Sequence, residues 1–236
     1  MTQPPQEKYP DLEPGIRAFM IAGERFYPPD AVNFTLAEQR AFYDRYAAHF
    51  RKPRPSGVST SDFATGSIPC RLYQKAGTVN PPILLYLHGG GYILGGLDSH
   101  DDICAEICDG AAVDVVSIHY RLAPEHPFPA AFEETLAVYR NLTGQYRRLL
   151  IGGDSAGGNL AAAACLKLRD EGAIMPAGHC AKRISPACRL PSWLPPASIL
   201  SMTTVPITPA TCSPPGLRQR CATNHSWSIA FSGPGT

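Results

Sequence analysis

Between Arg148 and Cys165 the chain reads RLLIGGDSAGGNLAAAAC, and no other stretch restricts the fold as tightly. Leu149-Leu150-Ile151 is a short apolar run that predicts a buried strand. Asn159 to Leu168 is dense in Ala and Leu and predicts a helix. Between them lies Gly153-Asp154-Ser155-Ala156-Gly157, the pattern G-x-S-x-G. So sharp a strand-to-helix turn needs small residues two positions either side of its centre, and Gly153 and Gly157 meet that need. The turn lifts the Ser155 hydroxyl above the sheet edge as a candidate nucleophile, with the Ala156 N–H facing the same space. The alternative at this point is a glycine-rich turn feeding a helix that binds an anion.

The segments before this turn alternate in type. Residues 1–55 read as a separate helical unit, with Leu12, Ile16, Phe19 and Met20 at helical spacing and a break at Tyr27-Pro28-Pro29-Asp30. Thr35-Leu36-Ala37-Glu38 has capping-box form, and Leu36, Tyr43, Ala47 and Phe50 mark one face of the helix it opens. Such a pair of helices either packs on the domain behind it or acts as a lid over a pocket. Residues 58–73 predict an outer antiparallel strand carrying Ile68, Cys70 and Leu72 on one face. Ile83 to Leu87 is apolar on both faces, as a central parallel strand requires. It runs into His88-Gly89-Gly90-Gly91-Tyr92, where glycines allow the backbone to turn its N–H groups toward a ligand. A flexible loop or a phosphate cradle are the other readings of this stretch. A cradle would want a Lys-Ser/Thr pair after the glycines, and none follows. A helix over Asp101–Asp109, capped by Asp98 or Ser99 and closed by Gly110, precedes a second buried strand at Val113–Ile118. A proline-rich loop and a helix over Ala131–Leu142 follow. Strand, helix, strand, helix, strand, turn and helix predict an α/β fold with a mostly parallel, doubly wound sheet.

Composition adds exclusions. Hydrophobic residues make up 44% and charged residues 17%, which suits a globular core. A net charge of +1 points to neither nucleic acid nor an anionic membrane. The polar start MTQPPQEKYP has no apolar segment of signal-peptide type, and no run approaches a membrane span. The eight cysteines form no C-x-x-C pair, and Cys104 and Cys108, four apart on an expected helix, read as core residues rather than metal ligands. A cytoplasmic protein without a stable membrane anchor is the expectation. The sequence makes no prediction of oligomeric state.

Three stretches together, LLYLHGGGYILGGLDSH, YRLAPEHPFPAAFEE and GGDSAGGNLAAA, resemble the hormone-sensitive-lipase (GDXG) branch of the α/β-hydrolases in order and spacing. The resemblance covers roughly residues 60–176, with a weaker match in the N-terminal helical cap. It implies a carboxylic-ester hydrolase acting on a small-molecule ester without metal or cofactor. Carried over, it implies Ser155 as nucleophile and Gly90, Gly91 and Ala156 as oxyanion-hole donors. His88, Gly89, Gly153, Asp154 and Gly157 match the supporting motif positions, His88 steadying the glycine loop rather than acting as base. Glu125 and His126 match a structural loop beside the site. His119 and Gly96 depart from the family, which usually has Asp and a small hydroxyl residue there.

The end of the chain departs further. All 20 Asp and Glu lie at or before Glu171. The family places its catalytic acid and histidine on later loops. Asp170 and Glu171 sit at the far end of the helix after Ser155, ~20 Å away, too far to orient a histidine beside it. His179 and His225 follow in unsuitable contexts. The prolines and small polar residues after Gly178 offer no strand-like run. The expected division is therefore a cap over 1–55, a partial hydrolase core over 56–178, and an irregular tail over 179–236, disordered or read from a shifted frame or mis-spliced exon. A divergent but genuine tail is the alternative. On this reading the sheet is incomplete after the nucleophile helix and the protein poorly stable. An ester hydrolase lacking its acid and histidine would be inactive or lose ~10⁴ or more in turnover. A non-catalytic binding member of the fold and a non-functional truncated product are the other readings.

Overall fold

The computed structural model describes residues 9–27 and 31–177. The sequence expectations for residues 179–236, including His179 and His225, lie outside the described residues.

The N-terminal unit consists of α1 (Pro14–Gly23), a single 3-10 turn (Ala31–Asn33) and α2 (Leu36–Phe50). Glu13 caps α1 by accepting from the Gly15 and Ile16 amides. The capping box opens α2: Thr35 Oγ1 accepts from the Glu38 N–H, and Glu38 accepts from the Thr35 N–H. The two helices share an aromatic core of their own. Phe19 lies 4.8 Å from Phe50 and 5.9 Å from Tyr46, ring centroid to centroid, and Phe26 lies 6.0 Å from Tyr46. A Cβ on Gly23 would meet the Tyr46 ring at 3.0 Å, so the helices approach closely there. Yet α2 buries none of its residues fully. Polar contacts from Arg40 tie it to the rest of the molecule.

The core sheet has five strands in the order β1-β2-β4-β3-β5: β1 (Val58–Thr65), β2 (Ile68–Lys75), β3 (Ile83–Leu87), β4 (Asp114–Ile118) and β5 (Leu149–Gly153). The single outer strand expected over residues 58–73 is a hairpin instead. Gly66, at φ +62, turns the chain between Thr65 and Ile68, and β1 pairs antiparallel with β2 along its length. β2 joins β4 antiparallel, and β3 lies parallel to both β4 and β5.

The continuous apolar runs are explained by two covered faces. On one, Tyr73, Leu84, Tyr86, Val115 and Leu150 pack on Cys104, Ala105 and Cys108 of α3 (Asp101–Ala111). On the other, Ile83, Leu85, Leu87, Val116, Ile118 and Ile151 pack on α4 (Ala130–Thr143) and α5 (Ala156–Asp170). α3 differs from expectation at both ends. Neither Asp98 nor Ser99 caps it, because Ser99 Oγ is taken by Gly96 and His100. It also runs past Gly110 and closes on Ala112 in the left-handed region. Among the described residues β5 pairs with a neighbouring strand on one side only, β3, and the Ala177 N–H donates to the Leu149 carbonyl at 2.8 Å. No helix of the described residues is long and apolar enough to cross a membrane.

Candidate active site

β3 and β5 are adjacent and parallel, so their C-terminal ends deliver the triple-glycine turn and Ser155 to the same sheet edge. Ser155 sits between β5 and α5 with φ +49 and ψ −117, a backbone state costly to a non-glycine residue. Its side chain is exposed and caps no helix amide. α5 begins at Ala156, three residues earlier than composition suggested, because the helix start is fixed by packing rather than propensity. A Cβ on Gly157 would lie 1.8 Å from the Leu87 carbonyl oxygen and 2.7 Å from that of His88. A Cβ on Gly153 would lie 2.1 Å from the same Leu87 oxygen. Both glycines of the pattern are therefore required by the end of β3 itself. Ala156, as the first residue of α5, has an amide that points out of the helix without an intrahelical partner.

Asp154 joins the two segments. Its Oδ1 accepts from the Gly89 N–H at 2.9 Å and from the Tyr86 hydroxyl at 2.8 Å, and His100 Nε2 lies 3.4 Å away. A Cβ on Gly89 would lie 2.1 Å from Asp154 Oδ2, so a larger residue there would push the carboxylate off its partners. Burial raises the Asp154 carboxyl's pKa, but the bonds from His100, Tyr86 and Gly89 outweigh it and the net shift is downward. The carboxylate is held charged beneath the turn. A second tie runs from the Tyr92 hydroxyl to Asn159 Oδ1 at 2.9 Å, linking the turn to the first coil of α5.

The turn itself has three successive residues at positive φ: Gly90 at +114, Gly91 at +61 and Tyr92 at +68. The Gly90 carbonyl accepts from the Ile93 and Leu94 amides, while the Gly89 amide is committed to Asp154. His88 is fully buried below it, stacked on Tyr120 at 4.2 Å. The Tyr120 hydroxyl donates to the His88 carbonyl, and His88 Nδ1 lies 2.8 Å from the Gly89 carbonyl. A carbonyl only accepts, so Nδ1 carries the hydrogen. Burial pulls the imidazole pKa down to about 4, which leaves it neutral near pH 7. Its Nε2 has no hydrogen-bond partner among the described residues.

The sequence reading thus finds Ser155, Ala156, Gly153, Asp154 and Gly157 in one turn, and His88, Gly89, Gly90 and Gly91 in the facing one. It missed Tyr86, His100 and Asn159, which hold the two together. Only Tyr86 leaves a trace: it lies on β3, two residues before His88. Glu171, at the far end of α5, is paired with Arg140 and Lys167. Among the described residues no cluster of His, Cys, Asp and Glu has a metal-binding arrangement.

Comparison with known proteins bears on the fold and the family. Residues 84–200 match a family described as having the alpha/beta hydrolase fold. The carboxylic ester hydrolase LipN of Mycobacterium tuberculosis is 45% identical over 114 residues, covering 45% of this chain and 30% of the relative. An acetyl-hydrolase of Streptomyces hygroscopicus is 39% identical over 148 residues, covering 61% of this chain and 48% of the relative. The crystal structure of an esterase from the bacterial hormone-sensitive lipase family superposes with a TM-score of 0.62 at 33% identity, over 75% of this chain and 56% of that one. The chain spans about half the length of such relatives or less.

Proposed function

Because the chain belongs to the hormone-sensitive-lipase branch of the α/β-hydrolases, we propose that it hydrolyses carboxylic esters with Ser155 as the nucleophile. The Ser155 hydroxyl attacks the ester carbonyl carbon, its proton passing to water or to a base beyond the described residues. Negative charge then develops on the former carbonyl oxygen, and the N–H groups of Gly90, Gly91 and Ala156 receive it. The alcohol then leaves as the C–O bond breaks, and water releases the acid from the acyl-serine. Each such donor is typically worth ~3 kcal/mol of barrier. The N-terminal end of α5 adds a favourable field at the same point. The Gly89 amide is spent on Asp154, which leaves the two amides after it for the substrate.

The observation that carries this reading is the Gly89–Asp154 bond at 2.9 Å, between the glycine turn and the residue next to Ser155. It fixes the two halves of the hole to each other before substrate arrives, which is how fixed dipoles lower a barrier. His88 steadies the turn and is not the base: it is buried and neutral, and its Nδ1–H is engaged. The described residues supply the nucleophile and the donors. The acid and histidine of the family pattern have no assigned residue here.

Hydrolysis of p-nitrophenyl acetate and butyrate by the full chain and by Ser155→Ala tests the proposal. Turnover above background that disappears in Ser155→Ala is expected. Turnover that survives in Ser155→Ala would overturn the assignment of the nucleophile, and no turnover in either would favour a binding role.

A further inference from the structure

The incoming limb of the glycine turn is fixed by Asp154, and its outgoing limb is fixed by a residue from a different part of the chain. Arg40, in the middle of α2, extends its guanidinium between two loops. Its Nε donates to the Ile93 carbonyl at 2.8 Å, and Nη2 donates to the Ala123 carbonyl at 3.1 Å. Nη1 and Nη2 also grip the two carboxylate oxygens of Glu125, each at 2.8 Å.

These partners are not incidental to the turn. The Ile93 N–H is one of the two that donate to the Gly90 carbonyl, and the Ala123 N–H donates to the Tyr92 carbonyl. Arg40 therefore closes a ring. Tyr92 is tied to Ala123, Ala123 to Arg40, Arg40 to Ile93, and Ile93 to Gly90. Three successive residues at positive φ do not hold such a shape unaided. The fork is suited to the task, because a planar guanidinium directs several donors at fixed angles where an ammonium would act as a point charge.

α2 has no fully buried residue, its larger apolar side chains being only partly buried, so its polar ties to the rest of the molecule contribute to its seating. Farther along, Arg51 donates to the Asp98 carbonyl, the Lys52 N–H to Asp102, and Arg54 pairs with Asp101. Those ties anchor the linker to the start of α3. Arg40 alone of these basic residues reaches the glycine turn.

We propose that Arg40 is a positioning residue: it clamps the outgoing limb of the oxyanion turn and so makes seating of the N-terminal helices a condition for an ordered hole. Its catalytic consequence rests on the ester-hydrolase reading above, but the clamp itself is measurable without turnover. Hydrogen exchange read by mass spectrometry on the full chain, with Arg40→Met, Arg40→Lys and Glu125→Gln, separates the two. Amides of residues 89–95 should exchange at least about tenfold faster in Arg40→Met, with β3 and β5 unchanged as an internal check of folding. Arg40→Lys should recover part of the protection, and Glu125→Gln should lose less, because Arg40 keeps both carbonyls. With p-nitrophenyl acetate, kcat should fall about 10- to 100-fold in Arg40→Met while KM changes little, as expected of donors moved out of place. Unchanged exchange at 89–95 in a folded Arg40→Met variant would overturn the clamp. Faster exchange in a protein whose unaltered form has no Ser155-dependent turnover would support the clamp and refute the hydrolase reading instead.

Discussion

Gly157→Ala is the smallest change that should separate the two halves of the proposed site. The added methyl carbon would lie 1.8 Å from the Leu87 oxygen, 2.4 Å from its carbonyl carbon and 2.7 Å from the His88 oxygen. All three are backbone atoms, so no side chain can swing aside. Reaching even 3.0 Å requires α5 and the end of β3 to part by about 1.2 Å. That gap opens directly between Ser155 and the glycine turn. A misplacement of about 1 Å typically costs ~10²-fold in rate, and overpacking of this kind costs ~1–3 kcal/mol in stability. Gly158→Ala is the control. Its methyl carbon would approach nothing closer than the Gly153 oxygen at 3.1 Å, and alanine favours the helix by ~1 kcal/mol. Steady-state hydrolysis of p-nitrophenyl acetate with a thermal melt on each variant compares them. Gly157→Ala should lose about 10²-fold in kcat and melt lower, while Gly158→Ala should stay within a few-fold of the parent. A folded Gly157→Ala protein with parental kcat would refute the claim that β3 and α5 set the site's spacing.

Two further outcomes follow from His88 and Tyr92. Burial holds the His88 imidazole near pKa 4, below its ordinary 6.5, so the unfolded chain takes up that proton first. Stability from this group is complete above pH 6.5 and declines as pH falls toward 4, by ~3 kcal/mol in all, and urea titrations across that range should show a slope that His88→Gln flattens. Tyr92→Phe removes the hydroxyl that bonds Asn159 at 2.9 Å, and should cost ~1 kcal/mol by urea denaturation while lowering kcat more than it alters KM.

What the sequence reveals here is what is locally determined. The strand-to-helix turn at Ser155 is legible because Gly153 and Gly157 are imposed by backbone contacts that no side chain tolerates. β3 and β4 were legible because both their faces are covered, which demands unbroken apolar runs. The capping box was legible because its two partners are three residues apart. β1 is hard to separate from β2 in the sequence because VSTSDFAT is mostly exposed and shows weak alternation, leaving Gly66 as the one sign of a hairpin. α5 starts earlier than its sequence suggests because Gly157 and Gly158 are poor helix formers, and contact with β3 overrides that preference. Tyr86, His100 and Arg40 left little or no signal. Their partners lie 68, 54 and up to 85 residues away, and a pairing across such distances has no periodicity to betray it.

The most direct test of the account is labelling with a fluorophosphonate probe, read by mass spectrometry of the intact chain and its peptides. The account predicts one adduct, on the peptide carrying Ser155, that is lost in Ser155→Ala and slowed in Gly157→Ala. No adduct on a folded chain, or an adduct that persists in Ser155→Ala, would contradict it.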